Sequence, residues 1–266
     1  MPSIQQNFDL WNSQHDWDHR GDRWSTVWGG PGMQWLRTIY PRIHSFLPVP
    51  TILEIAPGYG RWTQFLRHQC DRLVGVDLSP GCIEACERRF ERDTHLEFRV
   101  NDGKDLSMLD DASIDFVFSF DSLVHVEADV IETYLAQLSR KMKPSAVAFL
   151  HHSNLGEYRL LRRQQRWHPM LQHLFKRMRL MEARTHWRAW SMSADRMCEI
   201  ASHQGMCCIA QEIVPWSTRS AQIDCMSLIV HQDSGRAGPL RRWRNAAFME
   251  EAAYSGELER LYSGNR

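Results

Sequence analysis

The sequence predicts an α/β fold: a doubly wound, mostly parallel seven-stranded sheet with an antiparallel last strand, a helical N-terminal lid and a helical insertion after strand five. Three observations carry this. Short runs rich in Val, Ile, Leu and Phe alternate with stretches of helical length, which implies parallel βαβ units with right-handed crossovers. The first run leads into a glycine turn, Pro57-Gly-Tyr-Gly60. Two closing runs follow one another with no clear helix between them, so they should pair antiparallel.

The elements follow in order. Thr51-Ile-Leu-Glu-Ile-Ala56 reads as a buried strand after the punctuation of Pro48 and Pro50, and residues 61–69 as the first helix. Strands at 73–77, 96–100, 114–120 and 147–150 alternate with helices at 80–91 and 128–141. A helix at 193–204 precedes the strands at about 207–214 and 223–231. The chain divides into a lid (1–47), a core (48–154), an insertion (155–190), a core completion (191–232) and a helical tail (233–266), all in one domain.

Composition narrows the class. With 32 Lys+Arg against 32 Asp+Glu the net charge is zero, so no global field drives the chain towards nucleic acid or membrane. At 43% hydrophobic and 24% charged, it is a soluble globular composition. No apolar run approaches the roughly 20 residues of a membrane-spanning helix, and the N-terminus lacks a signal-peptide pattern. Seven scattered cysteines without a CxxC pair point to a reducing compartment, the cytoplasm.

In an open parallel sheet, ligands bind at the carboxyl ends of the strands. Glu54 lies in the first strand, ahead of Ala56, Gly58 and Gly60. Asp77 ends the second strand, where a carboxylate can accept from two ribose hydroxyls. Asn101-Asp102-Gly103 follows the third, offering an acceptor suited to an exocyclic amine.

ILEIAPGYGRWTQFL, VGVDLS, NDG and SIDFVFSFDSLVHVE, in that order, resemble the class I S-adenosylmethionine-dependent methyltransferases, a Rossmann-like family. The resemblance covers about residues 50–153, and the closing strands fit the family's antiparallel final pair. It implies S-adenosyl-L-methionine as cofactor and S-adenosyl-L-homocysteine as product. Glu54, Ala56, Gly58 and Gly60 would hold the methionine end, Asp77 with Leu78 the ribose, and Asp102 with Gly103 the adenine, while Phe120 would border the pocket. Ala56 departs from the family's usual first glycine. A dinucleotide site is disfavoured because GxGxxG is absent.

Methyl transfer to a hydroxyl needs a base near neutral pKa, and histidine suits it. His125, His151 and His152 follow the fourth and fifth strands, with Asp121 beside them to orient an imidazole or line the pocket. His152 and His125 lead as candidates. The same four residues could instead ligate a divalent ion such as Mg2+ that acidifies an acceptor hydroxyl, a reading not favoured here because the metal-dependent pattern of the family is missing.

The insertion carries nine Lys/Arg, eight of them Arg, against Glu157 and Glu182, with Trp167, Trp187 and Trp190 interleaved. Its charge points to an anionic acceptor, with Arg162, Arg163, Arg166, Trp187 and Arg188, together with Tyr59, as substrate-binding candidates. Two segments, Thr185-His-Trp-Arg-Ala-Trp-Ser-Met-Ser193 and Gly21-Asp-Arg-Trp24…Trp28-Gly-Gly30, resemble bacterial glycan-assembly methyltransferases. That resemblance implies O-methylation of a sugar or glycan precursor in polysaccharide biosynthesis, with Trp24, Trp28 and Gly29 as lid residues. The alternatives are a small natural product or amine as acceptor and, less favoured, an RNA-binding methyltransferase-like protein. A homo-oligomer stays open.

Overall fold

The computed structural model describes residues 3–15, 17–164, 167, 170, 177–178, 185–218 and 221–263. One sheet contains β1 (Val49–Ile55), β2 (Cys70–Asp77), β3 (Leu96–Val100), β4 (Ile114–Ser119), β5 (Met142–Ser153), β6 (Met206–Val214), β7 (Asp224–His231) and β8 (Arg241–Arg244). Their order is β3-β2-β1-β4-β5-β7-β6-β8. β1 to β5 are joined by parallel pairings, while β7 runs antiparallel to both β5 and β6.

The central strands are continuously apolar because both faces are covered. Leu53, Val74, Val76 and Val117 face the helices Ala128–Lys141 and Ala194–His203, meeting Ile131, Leu135, Met197 and Ile200. Ile52, Leu73, Phe116 and Phe118 face the opposite layer, built from Trp28, Trp35, Ile39 and Ile43 of the N-terminal region and Phe248 of the C-terminal helix. Helix starts are locally encoded. Ser79 accepts from the Cys82 N–H ahead of Pro80, and Ser193 accepts from the Arg196 N–H. Strand order reverses between β1 and β4, so a crevice opens above their carboxyl ends.

Three expectations change in detail. The sheet has eight strands, because residues 241–244, expected within a helical tail, pair parallel to β6 and cover its edge. The helix of the tail begins only at Phe248. The closing strands pair antiparallel as expected, with β7 between β5 and β6. The expected helix at 61–69 is a single α-turn, Thr63–Leu66, and within the insertion the structure describes the helix Arg159–Gln164. Among the described residues no helix is long and apolar enough to cross a membrane.

The C-terminal helix Phe248–Tyr262 locks against the N-terminal region through two glycines. A Cβ on Gly29 would lie 2.5 Å from Glu259 Cβ, and one on Gly256 would lie 2.5 Å from the Val27 carbonyl oxygen. Glycine at both positions therefore permits the close approach.

Candidate active site

A cavity of about 860 Å3, counted with its open mouth, lies above the carboxyl ends of β1, β2 and β4. Ala56 and Gly58 form one wall, both with left-handed backbones (φ 57° each). For Ala56 this conformation carries a steric cost that glycine would not. It is held by the Ala56 N–H donating to Val76 O and by its carbonyl accepting the Ser122 hydroxyl. Gly60 also has a left-handed backbone, but an added Cβ there would strike Phe90 at 2.5 Å, so its glycine serves packing.

Asp77 lies on the cavity wall. Its Oδ2 accepts from the Gly58 N–H (3.0 Å) and its Oδ1 from the Ser79 N–H (2.9 Å), which leaves lone pairs on both oxygens. Burial pushes its carboxyl up to about 6 despite these bonds. Glu54 is buried beneath the turn, outside the cavity lining. Its Oε2 accepts the Thr63 hydroxyl at 2.6 Å, its Oε1 has no partner, and burial pushes the carboxyl up to about 8. Leu78 and Gly103 line the cavity. Asp102 does not: it is exposed, and its Oδ1 accepts from the Lys104 and Asp105 N–H groups, closing a turn.

The N-terminal region roofs the cavity with Asn7, Phe8, Trp11, Trp17 and Trp24. Trp11, Trp17 and Trp24 pack with ring centroids 5.5–6.0 Å apart. Trp17 overlies the glycine turn, where a Cβ on Gly58 would approach its ring to 2.9 Å. It also stacks on Tyr59 at 4.5 Å, which accounts for that side chain outside the cavity. Polar ties hold the roof down. Asn7 Nδ2 donates to the His125 carbonyl (3.0 Å), and Asn12 Oδ1 accepts from the Ser79 hydroxyl (2.9 Å). Of the expected lid residues, only Trp24 lines the cavity. Trp28 is buried against Trp216 and Phe248, and Gly29 meets the C-terminal helix, because the chain has by then turned down onto the sheet face. Phe120 is likewise outside the lining, packed between Trp62 and His151.

The three histidines part company. His125 lines the cavity, and its Nδ1 lies 3.0 Å from the Trp187 carbonyl, so Nδ1 carries the proton and Nε2 is the basic nitrogen. Burial, with help from Arg188, lowers its pKa to about 4. His152, a leading candidate from the sequence, is fully buried within the sheet, away from the cavity. Its Nδ1 faces the Ser153 carbonyl and its Nε2 the Ser227 hydroxyl, each at 2.9 Å, so neither nitrogen is available. Burial lowers its pKa to about 4 as well. His151 is also fully buried: its Nδ1 accepts the Asp121 N–H (3.1 Å) and its Nε2 lies 3.2 Å from Asp224 Oδ2.

Asp121 lines the cavity with a left-handed backbone (φ 63°). Burial would raise its carboxyl, but Arg61, Arg188 and His151 together hold it below the usual carboxylate range. Arg61 Nη2 donates to Asp121 at 2.9 Å, and its guanidinium sits 5.2 Å from the Trp24 ring and 4.6 Å from that of Trp62. Arg188, expected to bind substrate, is 4% exposed and spends its fork on Asp224 at 2.9 and 2.8 Å. Asp121, His125, His151 and His152 do not assemble a ligand set. Among the described residues no group of three or more His, Cys, Asp or Glu is placed to hold a metal ion.

The described start of the basic insertion lies apart from the cavity, while Trp187 and Arg188 near its end reach the lining residues His125 and Asp121. Arg162 and Arg163 border a separate depression with Arg159, Tyr158 and Trp190. Arg166 lies outside the described residues. Trp187 has a left-handed backbone (φ 55°), and its ring lies 6.5 Å from that of Trp11. Among the described residues no Lys or Arg lines the cavity, whereas Asp77, Asp121 and Glu127 do. Sequence reasoning passed over Asn7, Phe8, Arg61, Glu127 and Asp224. The only advance signal was the clustering of tryptophans near Asn7 and Phe8.

Residues 52–145 match the methyltransferase domain family. No curated protein sequence matches the chain. Among solved structures, the PH0226 protein of Pyrococcus horikoshii superposes with a TM-score of 0.53 at 19% identity, over 84% of this chain and 96% of its own. An S-adenosylmethionine-dependent methyltransferase of Methanosarcina mazei superposes with a TM-score of 0.51 at 19% identity, over 72% and 97%. Both likenesses concern the fold alone. With its central strands and glycine turn inside the matched region, the chain carries a methyltransferase domain and is an enzyme of the methyltransferase class.

Proposed function

We propose that the protein is an S-adenosylmethionine-dependent O-methyltransferase that methylates a hydroxyl of a sugar or glycan precursor, with His125 as general base. The observation that carries this reading is the placement of His125. It is the one candidate histidine on the cavity wall, with Nδ1 tied to the Trp187 carbonyl and Nε2 left to take a proton; burial keeps it neutral, and thereby makes it a weaker base than the near-neutral imidazole expected from the sequence.

The cavity's own groups fit the cofactor. Asp77 offers two acceptor oxygens for a ribose diol on the cavity wall. Among the described residues the lining carries three carboxylates and no Lys or Arg, which suits a positively charged ligand. When bound, S-adenosylmethionine supplies an electrophilic methyl group on a cationic sulfur. The Trp17 and Trp24 roof excludes water, and His125 Nε2 accepts the proton that leaves the attacking hydroxyl. In this reading residues 1–47 act as the lid and 48–154 hold the cofactor. All seven cysteines are free thiols, in keeping with a cytoplasmic location.

Among the described residues no Lys or Arg lines the wall, and Arg188 is committed to Asp224, so this reading takes an uncharged acceptor beside the anionic one expected from the insertion. The aromatic lining of Phe8, Trp11 and Trp24 supports a second reading, an apolar small molecule as acceptor.

Isothermal titration with S-adenosylmethionine and S-adenosylhomocysteine, with and without EDTA, tests the cofactor. Micromolar affinity that collapses in Asp77→Ala is expected, and absence of binding to the wild type would overturn the assignment. Release of S-adenosylhomocysteine across a panel of neutral sugars, uronic acids and apolar phenols then tests the acceptor class.

A further inference from the structure

Two buried acceptor atoms on the cavity wall have no partner among the described residues: Asn7 Oδ1 and Glu127 Oε1. Asn7 is 8% exposed, and its Nδ2 is spent on the His125 carbonyl. Glu127 Oε2 accepts from both the N–H and the hydroxyl of Ser191, which leaves Oε1. Buried acceptors are rarely left unmatched, and two in one cavity mark where a ligand brings donors.

Their position says which donors. Asn7 lies one helical turn after Ile4, and Glu127 lies one turn before Val130. Ile4, Leu78 and Gly103 form one apolar patch of the wall beside Asp77, packed so closely that a Cβ on Gly103 would sit 3.2 Å from Ile4 Cγ2 and 3.3 Å from Leu78 Cδ1. A flat base attached to a ribose at Asp77 would lie against this patch. Asp102, which the family resemblance assigns to the adenine amine, is exposed and occupied by its own turn.

We propose that Asn7 Oδ1 and Glu127 Oε1 take the exocyclic amine of the cofactor's adenine, in place of Asp102. The inference rests on the S-adenosylmethionine reading above. It gives the roof a ligand-dependent tie, because Asn7 belongs to the N-terminal helix Ile4–Asp9 while Glu127 belongs to the core.

The test compares S-adenosylhomocysteine with S-inosylhomocysteine, which carries a carbonyl oxygen where the amine stood. Both are titrated calorimetrically into the full chain. The wild type is expected to prefer the amine by about tenfold or more, since a site built to accept hydrogen bonds rejects an analogue that brings another acceptor. Asn7→Ala and Glu127→Ala should each shrink that ratio, and the double variant should bring it close to one. A variant that merely loosens the fold weakens both ligands alike and keeps the ratio. A ratio unchanged in both variants, or one that collapses in Asp102→Ala instead, overturns the proposal. Binding of neither ligand to the wild type would instead sink the cofactor reading itself.

Discussion

Arg188 grips Asp224 with both arms of its guanidinium, Nε to Oδ1 at 2.9 Å and Nη2 to Oδ2 at 2.8 Å, with both side chains buried. Asp224 also faces His151 at 3.2 Å, and Arg188 Nη2 lies 3.6 Å from Asp121, which Arg61 holds from the other side. Four charges and an imidazole thus balance within one buried network. Removing one partner strands the others in a low dielectric, a penalty of about 3–5 kcal/mol. Arg188→Ala should destabilise the protein by that much in urea denaturation. A cost under about 1 kcal/mol would show that the network is not coupled to folding.

Ala56 makes the opposite prediction. Its left-handed backbone is imposed by the turn between β1 and Gly58, where a glycine would sit without strain. Ala56→Gly should therefore stabilise the protein by about 1 kcal/mol, partly offset by the greater entropy of the unfolded chain. A fall in the urea midpoint would mean that the alanine methyl contributes more by packing than its conformation costs.

These two residues also show what the sequence discloses. The parallel strands, the glycine turn and Asp77 were legible because interior strands are written as unbroken apolar runs ending in polar turns. The histidines misled for a local reason. β5 runs from Met142 to Ser153, not from 147 to 150, so His151 and His152 are interior strand residues paired with Met226 and Cys225. Asp224 and Arg61 were invisible because their partners lie 36 and 60 residues away, a separation no local pattern encodes. β8 was missed because all four of its residues are exposed and carry no apolar alternation.

Glu54 predicts a pH dependence of stability. Burial raises its carboxyl from 4.5 to about 8, so the folded state holds a proton that the unfolded chain releases near pH 4.5. Between those two values the folded protein binds more protons, and stability falls as pH rises, by roughly 1.4 kcal/mol for each pH unit in the steep region. Glu54→Gln keeps an amide oxygen for the Thr63 hydroxyl and removes the titration. Denaturation at pH 5 and pH 8.5 should therefore show the variant gaining on the wild type at the higher pH. A constant difference between the two proteins would mean that Glu54 stays ionised in the fold.

The two histidines with lowered pKa values separate a catalytic role from a structural one. His125 and His152 are both buried and both titrate near 4, but only His125 lines the cavity. His125→Ala should lower kcat by about 100-fold or more while leaving the affinity for S-adenosylhomocysteine within a few-fold, as expected for loss of a general base. His152→Ala removes the partner of Ser227 and should lower the urea midpoint, with kcat nearly unchanged at a temperature where the variant remains folded. The pH profile supplies a second readout. With the cofactor saturating, the base limb of kcat/KM should fall as pH drops through about 4, well below an ordinary imidazole, because Nε2 must be unprotonated to accept the hydroxyl proton. Equal losses of kcat in the two variants, or an inflection near 6.5 that persists in His125→Ala, would assign the proton to a group other than His125.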